Sequence, residues 1–133
     1  MTAVRSATLR TVIALDAAAC GLAGAALAID AALVAPLAGM APQVLQPLGV
    51  FLVVYAAGLA VLASRPSLPR AVVWTLVAFN VAWAVESLLA PVLGWARPTA
   101  LGLTLLIVQA IGALVVADLQ FLALRKARRE AMA

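Results

Sequence analysis

Two polar side chains that could take part in chemistry lie inside a long apolar stretch of the chain, residues 70–95. Asn80 can donate and accept hydrogen bonds, and the Glu86 carboxyl can bind a cation or carry a proton. Lipid hydrocarbon offers neither group a partner, so each must face other protein or a wet cavity. Asn80, Trp83 and Glu86 recur every three residues, which predicts one shared helix face.

Two further polar residues lie at comparable depth in neighbouring apolar segments. From a rise of about 1.5 Å per residue, Glu86 and Gln109 lie roughly 10 Å and 14 Å below the outer ends of their helices, with Asn80 near the midplane. Tyr55 lies near the middle of the second segment. We therefore predict an intramembrane polar cluster, which consists of Tyr55, Asn80, Trp83, Glu86 and Gln109. The alternative is that these groups only hydrogen-bond one another and fix the helix register.

The first apolar segment has two contrasting faces. Leu15, Leu22 and Ile29 repeat every seven residues and form an apolar stripe that we expect to face lipid. The opposite side carries Asp16 and Cys20 beside a ridge of Ala and Gly residues, which allows close helix packing. We therefore expect Asp16 to face the bundle in its inner half, about 10 Å from the cytoplasmic side.

Asp118 is the second acid expected in the inner half of the bundle. It falls on the apolar side of the fourth segment, opposite the face that carries Gln109 and Gln120. Three interpretations stay open: its side chain reaches toward Arg125, pairs with Arg10, or lies in a subunit contact.

Composition narrows the class of protein. Of 133 residues, 67% are apolar, which is more than a soluble domain of this size can bury. Histidine is absent and Cys20 is the only cysteine, so we expect no metal site, no cofactor and no Ser-His or Cys-His catalysis. The net charge of +4 comes from basic residues that flank apolar runs, which indicates membrane topology and not a nucleic-acid partner.

Periodicity and proline positions predict a single all-α membrane domain, an up-down antiparallel bundle of four transmembrane helices. Residues 35–47 hold three prolines and no charged residue, which predicts an external loop. Residues 125–133 are rich in Arg and Lys, and we expect them to form a basic cytoplasmic tail. The predicted helices span residues 11–34, 48–64, 71–93 and 100–124.

The basic residues predict the orientation. Eight of the nine fall on one side of the predicted bundle, and only Arg97 falls on the other, so both termini should be cytoplasmic in a bacterial inner membrane. A cleaved signal peptide is the competing interpretation of the first segment, but its apolar run exceeds the roughly 7–15 residues of a signal core. The eight are Arg5, Arg10, Arg65, Arg70, Arg125, Lys126, Arg128 and Arg129.

Several segments of the chain resemble those of other membrane proteins. They are FNVAWAVESLLAPVLG, RPTALG, VQAIGALVVADLQFLALR and, near the start, LR followed by LDAAACGLAG. In these segments the chain resembles an uncharacterised family of small bacterial four-helix integral membrane proteins. The resemblance implies the four-helix topology and supplies no function.

Two functions fit these patterns. The first is a non-enzymatic accessory, scaffolding or regulatory module, whose partners are the lipid bilayer and a membrane protein or a second copy of the chain. The second is a small transporter, proton-coupled through Glu86 or Asp16, because an intramembrane acid can serve as a proton relay. With no histidine, an enzyme is not expected.

Overall fold

A computed structural model describes residues 3–133 and shows an all-α protein with one pair of two-residue strands. Four of the five helices, α1, α3, α4 and α5, are long and apolar enough to cross a membrane, which confirms the predicted class. The elements are β1 (Ala3–Val4), α1 (Ala7–Ile29), α2 (Ala31–Ala38), α3 (Pro42–Ala63), β2 (Leu68–Pro69), α4 (Arg70–Val92) and α5 (Ala100–Met132).

The segment expected to be an external loop, residues 35–47, is largely helical. It contains the end of α2 and the start of α3, and Gly39 separates them at a positive φ of 71°. Pro42 lies in the first turn of α3, where its missing N–H would have no partner in any helix. Pro42 therefore marks a helix start, while Pro36 and Pro47 lie inside α2 and α3.

The basic tail is also helical. The α5 helix continues to Met132, beyond the predicted end at residue 124, while most of its last side chains are exposed. Arg, Lys, Glu and Ala are strong helix formers, so the helix needs no packed face to continue. At the other end of the chain, Ser6 begins α1 by accepting a hydrogen bond from the Leu9 N–H at 3.1 Å.

The α1 and α3 helices form one closely packed pair, the α1–α3 pair. A Cβ on Gly24 would lie 2.8 Å from the Gly49 carbonyl oxygen, and a Cβ on Gly49 would overlap the Ala28 backbone nitrogen. Only glycine allows the two backbones to approach this closely. Leu15, Leu22 and Ile29 are exposed, as the sequence predicts.

The α4 and α5 helices form the second pair, the α4–α5 pair, and extensive contact is confined to the two pairs. Direct contact between them is sparser and involves mainly α1 and α5. The protein therefore consists of two helix pairs with a loose seam between them.

At one end of the bundle, the basic end, each pair is closed by an arginine. Arg10 of α1 donates to the Ala63 carbonyl of α3 at 3.0 Å, and Arg70 of α4 donates to the Leu124 carbonyl of α5 at 3.4 Å. Strand β1, before α1, pairs with β2, which precedes α4. An apolar core closes this end of the bundle, and it includes Val4, Leu9, Ile13, Leu59, Leu68 and Leu124.

The opposite end is held by contacts of α2 with the start of α5. Thr99 caps α5 by accepting from the Gly102 N–H at 3.1 Å, and its own hydroxyl donates to the Leu37 carbonyl. Gly102 lies directly against the Ala38 backbone, where a Cβ would not fit. Contacts with backbone groups thus hold both ends of the bundle. In the middle of the bundle, the two pairs meet through side chains.

Candidate functional site

A cavity of about 440 Å³ lies between the two pairs, with walls from all four long helices. This volume falls in the range of sites that hold drug-sized molecules. Most of its lining is apolar, and the polar residues are few: Asp16, Cys20, Tyr55, Asn80, Trp83 and Gln109.

The cavity opens sideways beside exposed residues of α1 and α5. Leu15 of α1 is 66% exposed and Leu119 of α5 is 39% exposed, and both line the cavity. Gly112 also lines it, and a Cβ there would meet no atom of residues 3–133 within 4 Å. A molecule could therefore enter from the side of the bundle, between these two helices.

Hydrogen bonds between side chains join α4 to α5 beside the cavity. The Trp83 indole N–H donates to Gln109 Oε1 at 2.5 Å, and Gln109 Nε2 donates to the Ser87 hydroxyl at 2.6 Å. Because an indole N–H can only donate, it fixes which way the Gln109 amide points. Both the oxygen and the nitrogen of the Gln109 amide are thus hydrogen-bonded to α4, and this side chain serves as an interhelical brace.

A second amide pair joins the same helices nearer the basic end. Asn80 Nδ2 donates to Gln120 Oε1 at 3.2 Å and to the Leu76 carbonyl at 3.0 Å. The carbonyl can only accept, so it fixes the Asn80 amide and leaves Gln120 to accept through its oxygen. Gln120 is fully buried, and its Nε2 has no hydrogen-bond partner among residues 3–133. It does not line the cavity.

Four aromatic rings form a wall, the aromatic wall, where α3 meets α4. Phe51 and Tyr55 lie one turn apart on α3, and Phe79 and Trp83 lie one turn apart on α4. The Tyr55 and Phe79 rings stack at 4.5 Å between centroids, and the Phe79 and Trp83 rings stack at 6.0 Å. Tyr55, Phe79 and Trp83 line the cavity. The wall is therefore both a contact between the pairs and one side of the site.

Asp16 supplies the only carboxyl group of the cavity lining within residues 3–133. Its Oδ1 accepts a weak hydrogen bond from the Cys20 thiol at 3.4 Å, one turn along α1. In the described part of the chain, Asp16 Oδ2 and the Tyr55 hydroxyl are both buried without a hydrogen-bond partner. A buried polar group left unpaired costs about 1–3 kcal/mol, so these two atoms mark where the hydrogen bonding of the site is incomplete. Both atoms are covered by neighbouring atoms, so a ligand would reach them only after the Asp16 or Tyr55 side chain rotates.

The predicted cluster is assembled in part. Tyr55, Asn80, Trp83 and Gln109 line one cavity, and Asp16 joins them there, although the sequence placed it in a separate inner layer. Glu86 does not belong to the cluster: its side chain is exposed on the outer surface of α4. Six residues of helix rotate by about 600°, so Glu86 points about 120° away from Asn80.

Asp118 is exposed on α5, and neither its side chain nor that of Glu86 lines the cavity. Sequence reasoning missed Phe79 and Ser87 as parts of the site. Their signals were their spacing: Phe79 precedes Trp83 by one turn, and Ser87 follows Trp83 by one turn.

The site offers little for a metal ion. No group of three or more His, Cys, Asp or Glu side chains is placed to hold one within residues 3–133. No family model, curated protein or solved structure matches this chain. The functional argument therefore depends on the geometry of the cavity.

Proposed function

We propose that this protein is a small multi-pass membrane protein that binds a lipid-soluble molecule in the cavity between its two helix pairs and carries it across the membrane. The observation that carries the proposal is Asp16, which lines a cavity of about 440 Å³ and has one buried carboxyl oxygen without a partner among residues 3–133. A structural acid would be expected to find a partner, because burial without one is destabilising. A bound molecule would supply that partner.

The arrangement of the helices supports movement as well as binding. Each pair is internally tight, whereas the backbone contacts between the pairs are few and involve mainly α1 and α5. Two rigid bodies that rock about a central site form a common transport device. The binding residues come from both bodies, with Asp16 and Tyr55 on one and Phe79 and Trp83 on the other. The contacts of a bound molecule would therefore change with the angle between the two helix pairs.

The orientation belongs to this proposal. The contacts at the basic end fit an antiparallel up-down bundle, and the positive charges at that end favour a cytoplasmic location of both termini in a bacterial inner membrane. The protein acts without covalent chemistry and without a cofactor, as a carrier and not as an enzyme.

A second candidate function is supported by a different observation. Glu86 and Asp118 are exposed on helices long enough to cross a membrane, where a charged or polar group in contact with lipid is unfavourable. A partner helix, from another membrane protein or from a second copy of this chain, would shield them. This observation favours an accessory or scaffolding module, and it is independent of the cavity.

The cavity proposal is tested with three aromatic probes on the purified full chain in nanodiscs: tetraphenylphosphonium, tetraphenylborate and neutral 1-aminoanthracene. The variant Gly112→Phe fills the cavity, and Gly58→Phe is its matched control. A Cβ at either glycine meets no atom of residues 3–133 within 4 Å, but Gly58 lies outside the cavity lining. We expect saturable binding of at least one probe to the wild type and to Gly58→Phe, with loss in Gly112→Phe.

Absence of saturable binding for all three probes, or equal binding to both variants, would contradict the proposal. Transport is then measured for the bound probe as counterflow into proteoliposomes. Counterflow that matches empty liposomes would reduce the proposal from a carrier to a binding protein.

A further inference from the structure

The chemistry of the cavity selects one class of ligand. We infer that the site takes a hydrophobic organic cation, such as a quaternary ammonium or phosphonium ion with aryl or alkyl groups, with Asp16 as its counter-ion and the aromatic wall as its platform. This inference rests on the proposed function and specifies the substrate class of the same site.

The charge argument starts from what the cavity contains. None of the lining side chains, all of which belong to the described residues 3–133, is Lys, Arg or His. An ionised Asp16 therefore has no counter-ion in the lining, and its Cys20 hydrogen bond is a weak one. A cation from outside would complete the site, whereas an anionic ligand would meet the carboxylate without any positive charge to offset it.

The aromatic wall supplies the second half of the recognition. Tyr55, Phe79 and Trp83 bring three rings to the same cavity that holds Asp16. Aromatic rings attract cations through their π electrons, and this attraction is strongest for desolvated cations, of which quaternary ammonium ions are the best-known ligands.

Access and size point to the same class. The lateral opening beside Leu15 and Leu119 would admit molecules from the bilayer, so the ligand must partition into lipid. A small hydrated ion such as sodium would face mainly apolar walls and few oxygen ligands, which does not suit a hard cation. A bulky cation with a delocalised or shielded charge satisfies both the apolar walls and the carboxyl.

The test uses two probes of nearly equal shape and opposite charge, tetraphenylphosphonium and tetraphenylborate, on the full chain in nanodiscs. We expect tetraphenylphosphonium to bind saturably and tetraphenylborate to bind only as it does to protein-free nanodiscs. Asp16→Asn, which keeps the side-chain shape, should weaken tetraphenylphosphonium binding about 30-fold or more. Asp118→Asn removes an exposed acid outside the cavity lining and should leave the affinity unchanged.

Phe79→Leu is the second variant, because it retains an apolar side chain and leaves Asp16 in place. It should weaken the cation about fivefold to tenfold, in proportion to a lost cation–π contact. Equal affinity for both probes, or an unchanged affinity in Asp16→Asn, would overturn the cation inference while the cavity itself stands. If only 1-aminoanthracene binds and Gly112→Phe blocks it, the ligand class is wrong and the proposed function survives. Binding of none of the three probes would remove both.

Discussion

The two helix pairs solve the same packing problem in different ways. The α1–α3 pair is held by backbone contact at Gly24 and Gly49, so its polar side chains are not needed to join the helices. The α4–α5 pair is held by hydrogen bonds between side chains, through Gln109 and Asn80. Apart from Gln120 Nε2, the amides of the α4–α5 pair are therefore hydrogen-bonded within that pair, whereas Asp16 and Tyr55 of the other pair each keep a polar atom without a partner in residues 3–133.

This contrast separates structural from functional polarity inside a membrane protein. Both kinds of residue line the same cavity and would look alike in a sequence. Gln109 is committed on both sides of its amide, whereas Asp16 Oδ2 has no partner in residues 3–133. Whether a buried polar group already has a partner thus says more about its role than its depth does.

The largest expected effect is on the backbone contact of the α1–α3 pair. Gly49→Ala places a Cβ against the backbone of Leu27 and Ala28, so the helices must separate. We expect a loss of about 2 kcal/mol or more in the free energy of unfolding, measured by titration with sodium dodecyl sulfate in mixed micelles. Gly58→Ala makes the same chemical change in the same helix at an open position and should cost nothing. Equal stability of the two variants would show that α1 and α3 are not in close contact.

The next effect is on the hydrogen bonds of the α4–α5 pair. Gln109→Leu leaves the Trp83 indole and the Ser87 hydroxyl without this partner and should lower the free energy of unfolding by about 1–2 kcal/mol. The same titration measures it. Gln46→Leu, at an exposed position of α3, is the control and should be nearly neutral. If Gln109→Leu were equally neutral, the brace would be absent in the membrane.

Asp16→Asn should act in the opposite direction. It removes a carboxyl that lacks a full set of partners in the described chain, so the free energy of unfolding without ligand should stay the same or rise by up to about 1 kcal/mol. Affinity for tetraphenylphosphonium should fall in the same preparation. A variant that loses more than about 1 kcal/mol of stability would show instead that Asp16 is a structural acid, like the amides of the other pair.

The smallest effect is expected at Glu86. Because its side chain is exposed and outside the cavity lining, Glu86→Gln should change neither tetraphenylphosphonium affinity nor, by more than about 0.5 kcal/mol, the stability of the monomer. Equilibrium binding and the detergent titration measure both. A loss of binding would place Glu86 in the site. A change in association, seen by crosslinking, would support the second candidate function.

The sequence predicted the helical class, and it singled out four residues that line the cavity, Tyr55, Asn80, Trp83 and Gln109, because apolar periodicity and polar outliers are local properties. The exposed stripe of Leu15, Leu22 and Ile29 and the buried Gln120 face of α5 both follow from helical geometry. Prolines misled the prediction for residues 35–47. Pro42 lies in the first turn of α3 and breaks no hydrogen bond, and α2 and α3 accommodate Pro36 and Pro47 in their interiors.

Helical spacing alone places Glu86 off the face of Asn80, and the sequence prediction was wrong on this point. A step of three residues turns the helix by 300°, so two such steps carry a residue off the face on which the series began. The inclusion of Asp16 in the cavity depends on how the two pairs meet, which is a tertiary property. The aromatic wall likewise requires Phe51 and Tyr55 of α3 to lie beside α4.

The most direct test of the central claim uses Cys20, the only cysteine of the chain, which lines the cavity one turn from Asp16. Its labelling rate with a methanethiosulfonate reagent is measured in nanodiscs with and without tetraphenylphosphonium. With the cation at about ten times its Kd, labelling should slow about tenfold, because the unoccupied fraction falls by the factor 1 + [L]/Kd. A cysteine at exposed Gly58, in a Cys20→Ala background, should label at the same rate in both conditions. An unchanged rate at Cys20, with the cation bound, would show that the ligand lies elsewhere and would contradict the assignment of the cavity as the binding site.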